Sequence, residues 1–278
     1  MFDLFASFFK ALISFFTSIL IMLGVISPKT TQTLVMSIPV TEGLRTVQGG
    51  CTDGRYTYVT IIGNEEVTIA NPDYTAGSAL PETKSVIPCR VIKIDLAGKS
   101  IVKTSDELYM DHANDVTYNS KTNELLICNN KPNYTLVTVL DPDTLTVKRT
   151  VTVPEQIYSI CYVGTSDCYY VGVSYGYSVV TLSSSFEETG TINLQNNGFT
   201  KQGIDINGDS LYALYSGENS VYRYDLSGNL TGKLTLPESS NEAEFIFFFN
   251  DEMYVGYNFP GVGNGGAIYK LTDVQWES

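Results

Sequence analysis

The sequence has few of the residues from which metal sites are usually built. Its 278 residues include one Trp and one His, and its five cysteines form no CxxC pair. A single His cannot complete a Cys/His zinc cluster of the usual kind. We therefore assign no metal ligands from the sequence.

Positively charged residues are also scarce, because 17 Lys and Arg stand against 30 Asp and Glu and leave a net charge of −13. Nucleic-acid binding requires a basic surface for the phosphates, so this composition argues against nucleic acid as a partner. The same deficit argues against adsorption to an anionic membrane surface. The simplest role of the excess acid is solubility.

The cysteines leave two interpretations open. They are Cys51, Cys89, Cys128, Cys161 and Cys168. In an exported domain two of them could form a disulfide, although the sequence does not name the pair. The alternative is that all five are free thiols that pack as small apolar side chains.

An uncharged apolar run lies near the N-terminus, at residues 11–27 (ALISFFTSILIMLGVIS). Its 17 residues are at the short limit for a membrane-spanning helix and long for a signal-peptide core. Lys10 precedes the run, and no strong A-x-A cleavage site follows it. We predict that residues 1–29 form one hydrophobic helix, a signal anchor in preference to a cleaved signal peptide. Residues 30–278 would then be exported, with this helix as the membrane contact.

A repeat of about 44 residues organises the rest of the chain. Five segments share one pattern, in which a polar residue leads an apolar strand, a tight turn and a second strand. The leading residues are Gln48, Asn114, Tyr158, Gln202 and Glu244, and the successive spacings are 66, 44, 44 and 42 residues. An extra stretch at residues 64–88 accounts for the long interval. Each pair of strands is followed by a third, and in four of the five repeats by a fourth.

Four antiparallel strands repeated five times predict an all-β fold, a five-bladed β-propeller of four-stranded blades. The last repeat lacks a fourth strand, but residues 30–40 contain an unassigned strand-like run, QTLVMSIPV. We predict that this run completes the last blade and closes the ring. A β-sandwich is the alternative fold, but it does not explain the period.

The register of the repeat predicts a ring of polar residues around the channel. The five leading residues should meet at one mouth, because the first strand of each blade lines the axis. Side chains alternate along a strand, so the residues two positions earlier should form a second polar layer, namely Thr46, His112, Gln156, Thr200 and Glu242. Val116, Ile160, Ile204 and Ile246 should wall the shaft below.

These residues suggest a ligand site. We take as binding candidates Gln48, His112, Asn114, Tyr158, Gln202, Glu242 and Glu244. The catalytic candidates are His112, Glu242 and Glu244, since two close carboxyls shift apart in pKa and a His can exchange protons. No cofactor is identified, although a divalent cation at the mouth would neutralise the carboxylates. The alternative is an ordinary water-filled channel with a polar lining.

Motifs in the repeat carry a resemblance to a known group. QGGCTDGRYTYV, HANDVTYNSKTNELLI and the E-x-E of EAEFIFFF resemble motifs of uncharacterised five-bladed propeller proteins from Gram-positive bacterial surfaces, over residues 45–270. Asp111, Ala243 and Phe245 depart from that group's pattern. The resemblance implies the propeller fold and a surface location, and it implies no activity. A weaker likeness, through TVLDPDTLTVKRTV, is to glutaminyl cyclase-type propellers.

Three functions are consistent with these features. The first is an extracytoplasmic binding module that recognises a small polar ligand, glycan or peptide at the channel mouth. The second is an enzyme of the cyclase, lactonase or lyase type that uses the same central site. The third is a structural display domain without a ligand. The carboxyl and His set favours the enzyme, and the aromatic and glycine-rich loops favour binding.

Overall fold

The computed structural model describes residues 12–13, 15–16, 29–40, 43–71, 75–77, 79–173, 176–195, 200–237, 240–259 and 265–277. In these ranges it contains 22 β-strands and a short 3-10 helix at Ser216–Glu218. Twenty of the strands form five four-stranded antiparallel sheets. This is the predicted five-bladed propeller.

The strands follow one another from the axis outwards in each blade. The described chain enters through β1 (Thr31–Ile38), and blade 1 consists of β2 (Leu44–Thr52), β3 (Thr57–Gly63), β6 (Cys89–Asp95) and β7 (Ser100–Thr104). Blade 2 consists of β8 (Asp115–Asn119), β9 (Glu124–Cys128), β10 (Leu136–Leu140) and β11 (Val147–Thr152). Blade 3 consists of β12 (Ile157–Val163), β13 (Cys168–Val173), β14 (Ser178–Ser183) and β15 (Glu188–Asn193). Blade 4 consists of β16 (Gly203–Asn207), β17 (Ser210–Tyr215), β18 (Ser220–Asp225) and β19 (Leu230–Thr235). Blade 5 begins with β20 (Glu242–Phe249), β21 (Glu252–Asn258) and β22 (Gly266–Thr272).

The fourth strand of blade 5 is β1, as predicted from residues 30–40. It pairs antiparallel with β22, from Thr31 opposite Thr272 to Ile38 opposite Gly266. The hydroxyls of Thr31 and Thr272 add a 2.7 Å hydrogen bond at one end. The N-terminal and C-terminal parts of the domain therefore share one sheet.

The core lies between neighbouring blades. Inner strands are buried on both faces, as in β9, whereas the outermost strands of blades 1 to 3 are largely exposed, as in β11. Between blades 5 and 1, Phe245 and Phe247 pack with Val47 and Ile61. Burial therefore decreases from the inner to the outer strands of a blade, which explains why the first two strands of each repeat are the most apolar.

Turn chemistry also follows the sequence. The hairpin turns use Gly54 (φ +88°) and Gly208 (φ +58°), and in blade 5 Asn250 and Asp251 (φ +51° and +61°). Glycine, Asn and Asp tolerate positive φ, which two-residue hairpins require. The extra stretch at residues 64–88 carries a small hairpin of β4 (Val67–Ala70) and β5 (Thr83–Val86).

The cysteines are all free, with four buried and Cys168 half-buried. The interpretation as packed thiols therefore describes this structure, and no pair forms a disulfide. Of the predicted N-terminal helix at residues 1–29, only residues 12, 13, 15, 16 and 29 are described, so it stays a prediction. Within the described ranges, no helix has the length and apolar character needed to cross a membrane.

Candidate functional site

β-bulges place the five leading residues at the axis. In β12 the pairing with β13 skips Tyr158, and in β20 the pairing with β21 skips Glu244. In β2, Gln48 and Gly49 together lie opposite Thr60 of β3. The extra residue of a bulge is left out of the hydrogen-bond ladder, so its side chain points in a different direction from that of a regularly paired residue.

Blades 2 and 4 achieve the same result just before their first strands. The N–H of Asn114 donates to Cys128 O, although Cys128 also pairs with Asp115. The N–H of Gln202 likewise donates to Leu214 O, although Leu214 also pairs with Gly203. Each leading residue is thus the extra residue of its inner strand.

The leading side chains form a packed polar layer rather than an open mouth. Asn114 is fully buried, and its amide donates to Tyr158 O at 2.8 Å and to Gln202 O at 3.4 Å. It therefore joins blades 2, 3 and 4 at the axis. Gln48, Gln202 and Glu244 are also buried, while Tyr158 is half-buried. The polar groups of this layer therefore face one another, and their role in ligand binding stays a prediction.

A pair of carboxyl groups lies in blade 5. Glu244 is only 1% exposed, and it accepts a 2.5 Å hydrogen bond from Gln202 Nε2. It also hydrogen-bonds Glu242, which is exposed. Burial, and then repulsion from Glu242, raises the pKa of Glu244 well above its usual range. The buried carboxyl therefore favours the protonated form beside a solvent-exposed carboxylate.

Two buried oxygens of the same layer lack a hydrogen-bond partner among the described residues. They are Gln48 Oε1 and Asn130 Oδ1. Asn130 donates its amide to Asn114 Oδ1 at 3.2 Å, and Gln48 donates only to the adjacent Val47 O. Native structures satisfy most buried polar atoms through protein, water or ligand. These atoms are therefore available to a donor outside the protein.

Asn130 was not among the site residues predicted from the sequence. Asn130 lies in the loop at residues 129–134, which follows β9 of blade 2. The sequence feature that could have indicated it is the presence of two consecutive asparagines, Asn129 and Asn130. In the structure Asn129 is buried and accepts from Thr138 Oγ1 at 2.7 Å, whereas Asn130 turns to Asn114.

The second polar layer is less buried than the first. Gln156 and Glu242 are exposed, and Thr46 and Thr200 are half-buried. Thr46 donates to Asn64 Oδ1 at 2.7 Å.

His112 is half-buried just before the first strand of blade 2. Burial, and then the nearby charge of Lys131, lowers its pKa. Its backbone N–H donates to Asn129 O at 2.9 Å. The acid–base set of His112 with the two Glu residues stays a prediction.

A cavity of about 310 Å³ occupies the channel beyond the polar layer, towards the other end of the inner strands. Val116, Ile160, Ile204 and Ile246 line it, as predicted. Asp205 also lines it. The Asp205 carboxyl accepts from Ile206 N at 2.8 Å, from Phe248 N at 2.9 Å and from Cys161 Sγ at 3.1 Å. This aspartate therefore joins blades 3, 4 and 5.

No group of three or more His, Cys, Asp or Glu side chains within the described ranges has the arrangement of a metal site. The carboxyl pair by itself offers two residues. Any cation bound there would take its remaining ligands from amide oxygens such as Gln48 Oε1 or from water.

Comparison with known proteins supports the fold. No protein-family model and no curated protein sequence matches the chain. Glutaminyl cyclase from Myxococcus xanthus superposes with a TM-score of 0.61 and 10% identity, over 90% of this chain and 99% of its own. Hydrazine synthase from Kuenenia stuttgartiensis reaches a TM-score of 0.46 at 14% identity, over 78% of this chain and 57% of its own. At such identities the likeness to the cyclase shows a shared propeller fold, and fold alone does not give function.

Proposed function

We propose that the protein is an extracytoplasmic propeller module that binds a small polar ligand with a cationic or donor-rich end at the polar layer of the channel. The observation that carries this proposal is the surplus of acceptors there. Gln48 Oε1 and Asn130 Oδ1 are buried there without partners among the described residues, and Glu244 of the same layer forms a carboxyl pair with Glu242.

The surplus of hydrogen-bond acceptors indicates a ligand that donates hydrogen bonds and carries positive charge. No described Lys or Arg forms an ion pair with either carboxyl group. An unsatisfied buried polar atom costs about 1–3 kcal/mol, so a ligand that donates to these oxygens recovers that free energy. Ammonium and guanidinium groups donate several hydrogen bonds and match carboxylates in charge. A glycan or peptide ligand would engage the site through such donors.

Binding can be tested on the full-length protein with methylammonium and methylguanidinium chloride as probes. We expect either cation to raise the melting temperature relative to sodium chloride of equal ionic strength, since a ligand that binds only the folded state stabilises it. The double variant Glu242→Gln, Glu244→Gln should lower the affinity about tenfold, or about 1.4 kcal/mol. Glu188→Gln, an exposed glutamate on β15, is the matched control.

Equal cation affinity in the wild type and the double variant would contradict the proposal. The Gln side chains preserve shape and hydrogen-bonding capacity, so the fold should persist. A melting curve without added cation checks this point.

An enzymatic role is the second candidate, and the carboxyl pair favours it. A buried carboxyl with a raised pKa next to an exposed carboxyl places two acids in different environments, as a general acid and a general base require. The structural neighbour from Myxococcus xanthus is a glutaminyl cyclase, so the first assay is for that activity. Turnover that Glu244→Gln abolishes would favour the enzyme over the binding module.

The location of the domain is part of the proposal and rests on residues 11–27 of the sequence. Replacing Ile19 and Leu23 by Arg should leave the protein in the cytoplasm, because each charge in the apolar run costs about 2.5–3.5 kcal/mol on insertion. Fractionation of cells that express the two forms measures this. Normal export of the double variant would overturn the assignment.

A further inference from the structure

A second polar cluster lies between blades 3 and 4. Ser159 of β12 pairs with Gly172 of β13, and both residues are buried. Lys201, the residue before Gln202, packs against the same glycine from the next blade. A Cβ added to Gly172 would lie 2.3 Å from Ser159 Oγ and 3.2 Å from Lys201 Cδ. Only glycine therefore leaves room for the hydroxyl and the lysine chain beside each other.

Both polar groups of this cluster have unused hydrogen-bonding capacity. Ser159 is fully buried, and its Oγ has no partner among the described residues. Lys201 is fully buried as well, and its ammonium donates to Gly176 O at 2.7 Å. An ammonium has three donors, so this contact leaves two of them for another acceptor.

No carboxylate of the described chain forms an ion pair with this lysine. Burial lowers the pKa of Lys201 to about 8. A buried ammonium without a counterion is costly, and a buried hydroxyl without a partner adds a further cost. A single ligand group that accepts hydrogen bonds from the Ser159 hydroxyl and from the Lys201 ammonium would remove both costs.

We propose that Ser159 and Lys201 form a subsite for a small carboxylate. One carboxylate oxygen accepts from Ser159 Oγ and the other from the Lys201 ammonium, which gives two charge-assisted contacts. The ammonium of Lys201 donates to the backbone oxygen of Gly176, a half-buried residue on the loop after β13. The subsite is separate from the carboxyl pair of blade 5 and does not rest on the function proposed for that pair.

Acetate tests the proposal on the full-length protein labelled with ¹³C at lysine Cε. The signal that Lys201→Met removes is assigned to Lys201. Acetate should shift this signal in a saturable manner, whereas sodium chloride and sodium phosphate of equal ionic strength should not. Ser159→Ala should weaken the acetate affinity about tenfold, because it removes a hydrogen bond to a charged group.

Two matched controls are available in the chain. Lys93 is buried but already has Asp143 at 3.2 Å, so its signal should not move. Ser105→Ala removes a buried hydroxyl that already donates to Asp106 O at 2.7 Å, so acetate affinity should not change.

An unchanged Lys201 signal across the whole acetate titration would overturn the subsite. An equal shift with chloride, or equal acetate affinity in Ser159→Ala, would overturn it as well. Loss of methylammonium binding in the Glu242→Gln, Glu244→Gln variant with the acetate response retained would show that the two sites are independent.

Discussion

Buried carboxyl groups differ in their surroundings in this molecule. Glu244 has one amide donor and a second carboxyl beside it, so its charged form is poorly stabilised. Asp205 accepts from two backbone N–H groups and a thiol, yet burial still raises its pKa from 3.8 to about 6. At both residues the folded state binds the proton more tightly than the unfolded chain does.

Asp205 should therefore make the protein less stable as pH rises. A folded-state pKa above the unfolded value means that stability is full below 3.8 and is lost as pH rises towards about 6. Asp205→Asn should reduce this slope of the free energy of unfolding, as measured by urea unfolding at a series of pH values. Glu244 contributes in the same direction, so part of the slope should remain.

Asp225→Asn is the control with the opposite sign. Hydrogen bonds from the side chain and N–H of Asn229 lower the pKa of Asp225, so its contribution is present at neutral pH and is lost on acidification. If the free energy of unfolding depends on pH in the same way in the wild type and in Asp205→Asn, the proposed contribution of Asp205 to the pH dependence is refuted.

The inner strands show how single extra residues shape the channel. Each bulge turns one polar side chain to the axis, and the glycines next to the bulges let the blades approach closely. A Cβ on Gly49 would lie 2.5 Å from Asp115 Cα, and one on Gly203 would lie 3.1 Å from Phe245 Cα. Both contacts join a bulged strand to the next blade, so the polar layer and the blade spacing depend on the same positions.

Gly49→Ala should thus destabilise the fold by about 1–3 kcal/mol, because backbone of the next blade must move to admit one methyl group. Gly190→Ala on the outer strand β15 is the control, since a Cβ there meets nothing within 4 Å. Its effect should stay within about 0.5 kcal/mol. Chemical denaturation of both variants measures the difference, and equal stability of the two would refute the close-approach argument.

At the scale of the whole molecule, β1 joins the two ends of the described domain in one sheet. β1 covers the outer edge of β22, which a three-stranded blade would expose for pairing with other chains. Ile38 at the end of β1 is 1% exposed and packs in the core between blades 5 and 1, whereas Leu34 on the same strand is 47% exposed.

Ile38→Ala should lower the free energy of unfolding by about 2–5 kcal/mol, the usual effect of removing a buried aliphatic side chain. Leu34→Ala should change it by less than about 0.5 kcal/mol. Deleting residues 32–40 should have a larger effect than either, since it removes the whole strand. An unchanged melting temperature in the deletion variant would show that ring closure does not stabilise the domain.

The sequence determined the architecture of this protein, because its signals are local and repeated. The 44-residue period, the Asp53-Gly54 and Asn207-Gly208 turns and the strand-like run before the first repeat predicted the blades and their closure. They also predicted which residues lead each inner strand, although the ligand role of those residues stays a prediction.

The tertiary structure alone decided how the leading residues are used. A bulge depends on which residue of a strand is skipped in the pairing with its neighbour, and the hydrophobic pattern does not record that choice. The burial of Asn114 and Glu244 and the unpaired oxygen of Asn130 depend on how blades meet at the axis. The same is true of Ser159 and Lys201, which are 42 residues apart in the chain. Gly172 brings them together only because two blades pack against each other at its missing side chain.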